Sequence, residues 1–460
     1  MSGPATAPSQ ATASANEAAI GDVLDGLKTF RHNYWAPMLL GFVMLFDSWD
    51  SIAMALVIPS ISAEWSLDPL QMGVLISASY AGQFIGAVSL GAFAERFGRL
   101  PVLITAVVLM SLLAAACGLA WNFTSLFWIR LTQGIMIGGA LPVAITYVNE
   151  LAPTQKRGRY FGLFQTLAMS GFSVATLLSP LIVPHLGWRW MLGLGALPLL
   201  LTPLIWMTLP ESPRWLARIG RLKEANAALV RLGGTPAQFA EHDATPGAPK
   251  AEGGKRWAAV LQLFSPELRG RTITVTLLWF LTMFVSFGLT TWVPSIYVQV
   301  YDIPLQMALY YTALSSVIML VVLAISGVVI DMVGRRPFAL FGMLVSAATM
   351  LGMAFFGPTQ VMLVVIAVVI GKVAIFCGTY VLWPYTAESY PTHVRAVTLG
   401  YCSSIGRAAS MITPIFVGFV LDRGAAIEVV YAWFGVSALI ALGLWFTRTR
   451  ETRGRRLEAV

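Results

Sequence analysis

Apolar runs of about 20 residues recur along this chain, each long enough to cross a hydrocarbon layer roughly 30 Å thick. Twelve spans are expected, at about 35–60, 70–94, 101–120, 123–149, 158–183, 188–209, 272–299, 304–330, 337–357, 359–387, 396–421 and 427–447. Hydrophobic residues make up 57% of the 460 and charged residues only 11%, which excludes a string of soluble domains. The fold class expected is an all-α integral membrane protein of twelve transmembrane helices.

The net charge of +8 invites a nucleic-acid reading, but its distribution rejects one. Arg189 and Arg423 fall on one side of the expected bilayer, and Arg130, Lys372 and Arg407 lie within spans. The remaining Lys and Arg sit at the termini or in the loops of the opposite side. Loops rich in Lys and Arg stay in the cytoplasm, which places both termini and the long central loop there. Residues 1–33 read as a cytoplasmic tail, disordered over 1–30, with no apolar core of a cleavable signal. Cys117, Cys377 and Cys402 all lie in spans and offer neither a disulfide framework nor metal spacing. The histidines His32, His185, His242 and His393 lie outside the spans, and no nucleophile triad or nucleotide loop appears. An enzyme is therefore not expected, nor a metal or cofactor.

The chain repeats itself. Gly91-Ala-Phe-Ala-Glu95-Arg96-Phe-Gly98-Arg99 follows span two, and Gly327-Val-Val-Ile-Asp331-Met-Val-Gly334-Arg335-Arg336 follows span eight. Both read Gly-x3-acid-x2-Gly-Arg. A second pair agrees at nearly the same offset: Glu150-Leu-Ala-Pro153-Thr154-Gln-Lys-Arg157 after span four, and Glu388-Ser-Tyr-Pro391-Thr392-His-Val-Arg395 after span ten. Two independent matches define a duplicated six-helix unit. The expected division is a bundle over 34–210, a central loop over 211–271 with a surface helix at Leu222 to Leu232 and a flexible stretch from Gly233 to Lys255, a second bundle over 272–447, and a tail over 448–460. The acids and arginines of the motifs can pair across helix ends, and such partly exposed pairs are individually weak. That suits a gate that breaks and re-forms, built from Gly91, Glu95, Arg96, Gly98, Arg99, Glu150 and Arg157 in one half and Gly327, Asp331, Gly334, Arg335, Arg336, Glu388 and Arg395 in the other.

Five ionisable residues are expected at membrane depth: Asp47 and Asp50 in span one, Arg130 in span four, Lys372 in span ten and Arg407 in span eleven. Such residues are costly in hydrocarbon and mark ion or substrate paths. Asp47 and Asp50 share roughly one helix face. A proton-coupling role is expected for them, with Arg130 pairing to one or the other. Three cations against two acids leave one positive charge unmatched, which a substrate carboxylate would answer. Arg407 is the first candidate to hold it, because a guanidinium grips a carboxylate with two parallel hydrogen bonds; Lys372 is the second.

The repeated motifs, the spans and the central loop resemble the major facilitator superfamily across residues 33–447. Pro210-Glu211-Ser212-Pro213-Arg214-Trp215-Leu216 resembles the segment after span six in its sugar porters and their organic-ion relatives. Asp47-Ser48-Trp49-Asp50 is similar to the Asp-Gly-aromatic-Asp of its aromatic acid/proton symporters, with Ser48 for the glycine. Gly406-Arg407 and Pro414 in span eleven are similar to that subfamily's pattern, with Ala409 for a glycine. The resemblance implies two pseudo-symmetric six-helix bundles around a midplane cavity, rocking-type alternating access, and proton-driven uptake of an aromatic carboxylate such as nicotinate, benzoate or hydroxybenzoate across a bacterial inner membrane. Trp49, Phe284, Phe287, Phe376, Tyr380 and Trp383 are candidates to stack on such a ring, and Gln165 for a polar contact. Trp279 and Trp292 read as interfacial anchors. A monomer is expected. A sugar or organic-ion carrier is the alternative, and a transporter-like receptor a more distant one.

Overall fold

The structure is a computed structural model that describes residues 10–27, 34–153, 156–239, 260–357 and 360–453. Eleven helices are long and apolar enough to cross a membrane, and the bent pair Pro69–Ala87 and Ser89–Phe97 makes a twelfth. Spans one to six are Ala36–Trp65, Pro69–Phe97, Arg99–Gly118, Phe123–Leu151, Arg157–Leu186 and the broken Trp188–Thr208. Spans seven to twelve are Arg269–Gln299, Leu305–Val333, Arg335–Phe356, Val361–Glu388, Thr392–Asp422 and Ile427–Arg448.

Local chemistry sets several boundaries. Asp68 opens span two with a reciprocal cap, its Oδ1 accepting from the Gln71 N–H at 2.7 Å while Gln71 Oε1 accepts from the Asp68 N–H. Asn122 and Ser125 do the same for span four. Spans two and four approach closely along small residues: a Cβ on Gly134 or Gly138 would fall about 2 Å from the carbonyls of Ser79 and Gln83.

The turn from span two to three demands Gly98, whose φ of 106° and ψ of 160° suit only glycine. Gly334 repeats it between spans eight and nine with φ 104°. Directly after each turn a carboxylate receives the exposed N–H groups of the next helix. Glu211 accepts from Arg99 and Leu100, and Glu451 from Arg335 and Arg336 at 3.0 Å each. The two caps differ in charge balance. Burial raises the Glu211 carboxyl above its ordinary range, whereas at the less deeply buried Glu451 four backbone N–H donors outweigh burial and hold it below.

Two departures from sequence expectation stand out. Gln10–Gly26 is a helix rather than a disordered tail, and its stripe Ile20, Leu24 with the following Leu27 is buried with Leu229 and Leu232 of the central loop. Residues 1–9 and 28–33 of that tail lie outside the described residues. In the central loop, Leu222–Arg231 is helical as expected, and Ala237 beyond it is fastened through both its N–H and C=O to Asn226; residues 240–255 lie outside the described residues. Trp279 and Trp292 are not interfacial anchors, being 1% and 0% exposed. Their indole N–H groups donate inside the protein, to Thr386 Oγ1 at 3.0 Å and to the Pro414 carbonyl at 3.2 Å.

The core is divided unequally. One apolar cluster joins most of the second bundle to the end of the first that carries Ile52 to Ile61, Met72 to Tyr80 and Met191. The other end of the first bundle, where the repeated motifs lie, has a separate core made only of its own residues and the short helices.

Gly98→Ala places a Cβ 2.3 Å from Glu211 Oε2 and forces a backbone only glycine adopts. It should cost about 1–3 kcal/mol of unfolding free energy in detergent. Gly91→Ala, which meets nothing within 4 Å, should leave the unfolding midpoint unchanged.

Candidate functional site

At the centre of the first bundle, span four carries Arg130 against Asp50 of span one. Arg130 Nη1 donates to Asp50 Oδ1 at 2.7 Å, and Nη2 donates to the Asp50 backbone carbonyl at 3.2 Å. Gln133, one turn along the same helix, donates to Asp50 Oδ1 at 3.0 Å and accepts from Arg130 at 3.0 Å through its Oε1. Cys117 Sγ of span three lies 3.5 Å from that same oxygen. Both charges are almost fully buried. Removing one member of such a pair strands the other in a medium that cannot solvate it. The run Arg130-Leu-Thr-Gln133-Gly134 resembles the superfamily's span-four motif but assigns no partner to Gln133, and Cys117 carries no such signal; the spacing of three from Arg130 on one helix face is what points to Gln133.

Asp47 stands in contrast. It is 6% exposed, its carboxylate makes no hydrogen bond or ion pair among the described residues, and Oδ1 is fully enclosed without a partner. The charges that act on it are Arg407 of span eleven and Asp50. Arg407 is half-buried in the opposite bundle, and its guanidinium has no hydrogen-bond or ion-pair partner among the described residues. Lys372, 4% exposed, reaches only Ser315 Oγ, at 3.4 Å, among the described residues. Of the three cations, one is locked to an acid, one faces an acid without bonding to it, and one has a hydroxyl.

The aromatic candidates scatter. Trp49 donates to the Met191 carbonyl at 3.1 Å and packs on Phe46, inside the first bundle. Phe284 packs among Phe280, Phe416 and Phe434 in the core of the second. Phe287 meets Tyr80 edge-on across the two bundles, ring centres 5.5 Å apart. Trp383 is 47% exposed and stands edge-on to Trp279 at 4.9 Å. Phe376 and Tyr380 are half-buried, Tyr380 directing its hydroxyl toward Gly327. Gln165 keeps a buried Oε1 without a partner.

The motif residues form two clusters, each within its own half. Arg99 Nη2 bridges Glu95 at 2.8 Å and Glu150 at 3.3 Å, with Arg218 on Glu95 at 3.1 Å. Arg335 bridges Asp331 at 3.0 Å and Glu388 at 2.9 Å. Arg336 instead holds the carbonyls of Trp445 and Phe446. Arg96 lies exposed over Phe97, Arg157 is exposed at the start of span five, and Arg395 donates to the Tyr390 carbonyl. No hydrogen bond or ion pair joins one cluster to the other among the described residues. At the far end the halves do touch: Gln299 donates to Ser62, and a Cβ on Gly73 or Gly418 would strike the carbonyls of Pro414 and Pro69. The halves are therefore in direct contact at the far end, while at the motif end each cluster keeps to its own half among the described residues.

Two six-helix halves built on repeated motifs, with ionisable side chains on their spans at membrane depth, define a transporter of the major facilitator superfamily. The profile of the sugar (and other) transporter family matches residues 26–460, and the chain belongs to that family. It is similar to the niacin transporter NiaP of Acinetobacter baylyi, 29% identical over 95% of this chain and 98% of the relative. It is similar also to the gallate transporter of Pseudomonas putida, 30% identical over 88% of this chain and 90% of the relative. Among solved structures, the crystal structure of a D-xylose-proton symporter shares the fold with a TM-score of 0.72 and 20% identity, covering 92% of this chain and 99% of that one.

Arg130→Ala should lower unfolding free energy by about 3–5 kcal/mol, because it leaves Asp50 buried without its counter-charge. Asp47→Asn removes no bond and should leave stability within about 0.5 kcal/mol of the parent. Equal unfolding midpoints for Arg130→Ala and the parent in detergent would contradict the pairing.

Proposed function

We propose that the protein is a proton-coupled importer of a small aromatic carboxylate, working by alternating access. The observation that carries this reading is Arg407 of the second half acting on Asp47 of the first, both side chains without a bonded partner among the described residues. A guanidinium at depth with no acid bound to it suits a ligand that brings its own carboxylate. The names of the niacin and gallate transporters support a ring-bearing acid as the class. On this reading the motif end faces the cytoplasm of a bacterium, with both termini on that side, and the protein acts as a monomer in the inner membrane.

Coupling follows from the two aspartates having different surroundings. Asp50 is held by Arg130 and Gln133 and serves as a fixed latch between spans one and four. Asp47 has no bonded partner among the described residues, with Arg407 the cation and Asp50 the acid that act on it. With Arg407 engaged by substrate, Asp47 is left desolvated without a counter-charge, and a proton removes that buried charge. Substrate and proton therefore occupy the site together, and the neutralised site can close. Lys372 and Gln165 are the next polar groups to reach the ligand. Phe287, Phe376, Tyr380 and Trp383 remain candidates for its ring, ahead of Trp49 and Phe284, which are engaged in packing. The gate opens and closes as the two motif clusters separate or meet.

A sugar is the second reading, favoured by the family profile and the xylose symporter's fold. A neutral sugar would leave Arg407 and Lys372 unanswered, and binding separates the two readings. Calorimetry with nicotinate or benzoate, the matching amide and D-xylose should give heat for the acid well above the other two; a preference for D-xylose would install the sugar reading.

Arg407→Ala should weaken the acid by about 10- to 150-fold, the equivalent of a charge-assisted hydrogen bond of roughly 1.5–3 kcal/mol. It should hardly affect the amide, and Arg407→Lys should recover only part of the loss. Equal weakening of acid and amide would make Arg407 structural and pass the role to Lys372. In proteoliposomes Asp47→Asn should abolish accumulation driven by a proton gradient while sparing substrate exchange; undiminished accumulation by this variant would remove Asp47 from the coupling.

A further inference from the structure

A polar cavity of about 370 Å³ opens at the motif end of the second bundle. Its walls are the start of span seven, the end of span ten and the segment after span twelve, and its polar groups include Arg271, Tyr385, Ser389, Arg448, Arg450 and Glu451. Three guanidinium groups thus face one carboxylate. That carboxylate is already committed, since Glu451 accepts from the N–H groups of Arg335, Arg336, Thr452 and Arg453. Arg271 donates to the Ser389 carbonyl. The Arg450 backbone N–H donates to the Tyr385 hydroxyl, but the guanidinium groups of Arg448 and Arg450 have no hydrogen-bond or ion-pair partner among the described residues.

Fold maintenance does not account for these two arginines. The carbonyls at the end of span twelve, which a basic residue in the last turn could serve, are taken by Arg336 at Trp445 and Phe446 and by Thr449 Oγ1 at Trp445. The internal repeat gives a direct comparison. Aligning Glu211 with Glu451 sets Thr208 opposite Arg448 and Pro210 opposite Arg450. Tyr147, the counterpart of Tyr385, donates to the Pro210 carbonyl there. The first half caps its helix in the same way with neither arginine. What the second half adds is positive charge around an open space.

We propose that this cavity binds a phosphate group, held by Arg448 and Arg450 with Arg271 and the Tyr385 hydroxyl behind them. Guanidinium forks match phosphate oxygens in geometry and charge. The level of the cavity, at the ends of spans seven, ten and twelve, is where the headgroup of an anionic lipid would lie, and basic pockets between helices at that level take such headgroups. A small soluble phosphate ester has the same chemistry.

The test titrates delipidated protein in detergent with phosphatidylglycerol or phosphatidylcholine, read by native mass spectrometry, and with inorganic phosphate or glycerol 3-phosphate, read by calorimetry. The double variant Arg448→Gln/Arg450→Gln is compared with the parent and with Arg423→Gln, an arginine at the far end. Phosphatidylglycerol binding that drops about tenfold or more in the double variant alone, with phosphatidylcholine indifferent, establishes the site with lipid as its source. The same drop for glycerol 3-phosphate or inorganic phosphate establishes it with a soluble source. Should the double variant fail to fold, Arg450→Gln, which lies beyond the helix, replaces it with a smaller loss expected. Identical titrations for parent and folded variant with every probe would overturn the proposal and leave the arginines as determinants of topology.

Discussion

A charged group in hydrocarbon has no water to fall back on, and the interior of this protein is arranged around that constraint. Asp50 and Arg130 answer it by direct contact, reinforced by Gln133, and so fix spans one and four to each other. Their pairing leaves Asp47 as the carboxylate of span one without a bonded partner among the described residues. The same helix therefore carries one acid bonded within the bundle and one that, on the function proposed above, takes up the proton. Three residues separate the two roles.

The arrangement of the two halves extends this logic. Shared apolar packing holds them together at the far end, while at the motif end each half satisfies its own charges. Because Arg99 and Arg335 already have acids within their own halves, parting the clusters strands no charge. The outer pairs, Arg218 with Glu95 and Arg335 with Asp331, are partly exposed and individually weak, whereas Arg99 is buried and stays with its own acids.

Much of this was legible in the sequence. Apolar run lengths give the spans, and the repeated motifs give the two halves, because both follow from local composition and spacing. The five intramembrane charges were also visible, but not their partners. Asp47 and Asp50 share a helix face, and only the three-dimensional approach of span four decides that Arg130 meets Asp50. The fates of Trp279 and Trp292 illustrate the same limit: position near a span end suggested an interface, whereas the neighbouring helices enclose both rings. Glu211 and Glu451 escaped notice as a matched pair because little sequence around them repeats, although their geometry does. The helix Gln10–Gly26 was obscured by an Ala- and Ser-rich composition, within which Ile20, Leu24 and Leu27 still keep helical spacing.

The motif-end core of the first half bears on how the chain is made. Ile20, Leu24, Leu229, Leu232 and Ala237 belong to that core, whereas Leu263 already belongs to the cluster shared with the second bundle. A ribosome must therefore release the chain as far as Phe239 before the first half can complete its own interior. From that point it needs nothing from the later helices to do so. Phe239 packs on the first core and Leu263 belongs to the other, so a division of the polypeptide between these two residues leaves both cores whole. Two separately expressed fragments meeting there would each carry an intact set of motif contacts, and would rejoin through the far-end surface of spans two and eleven.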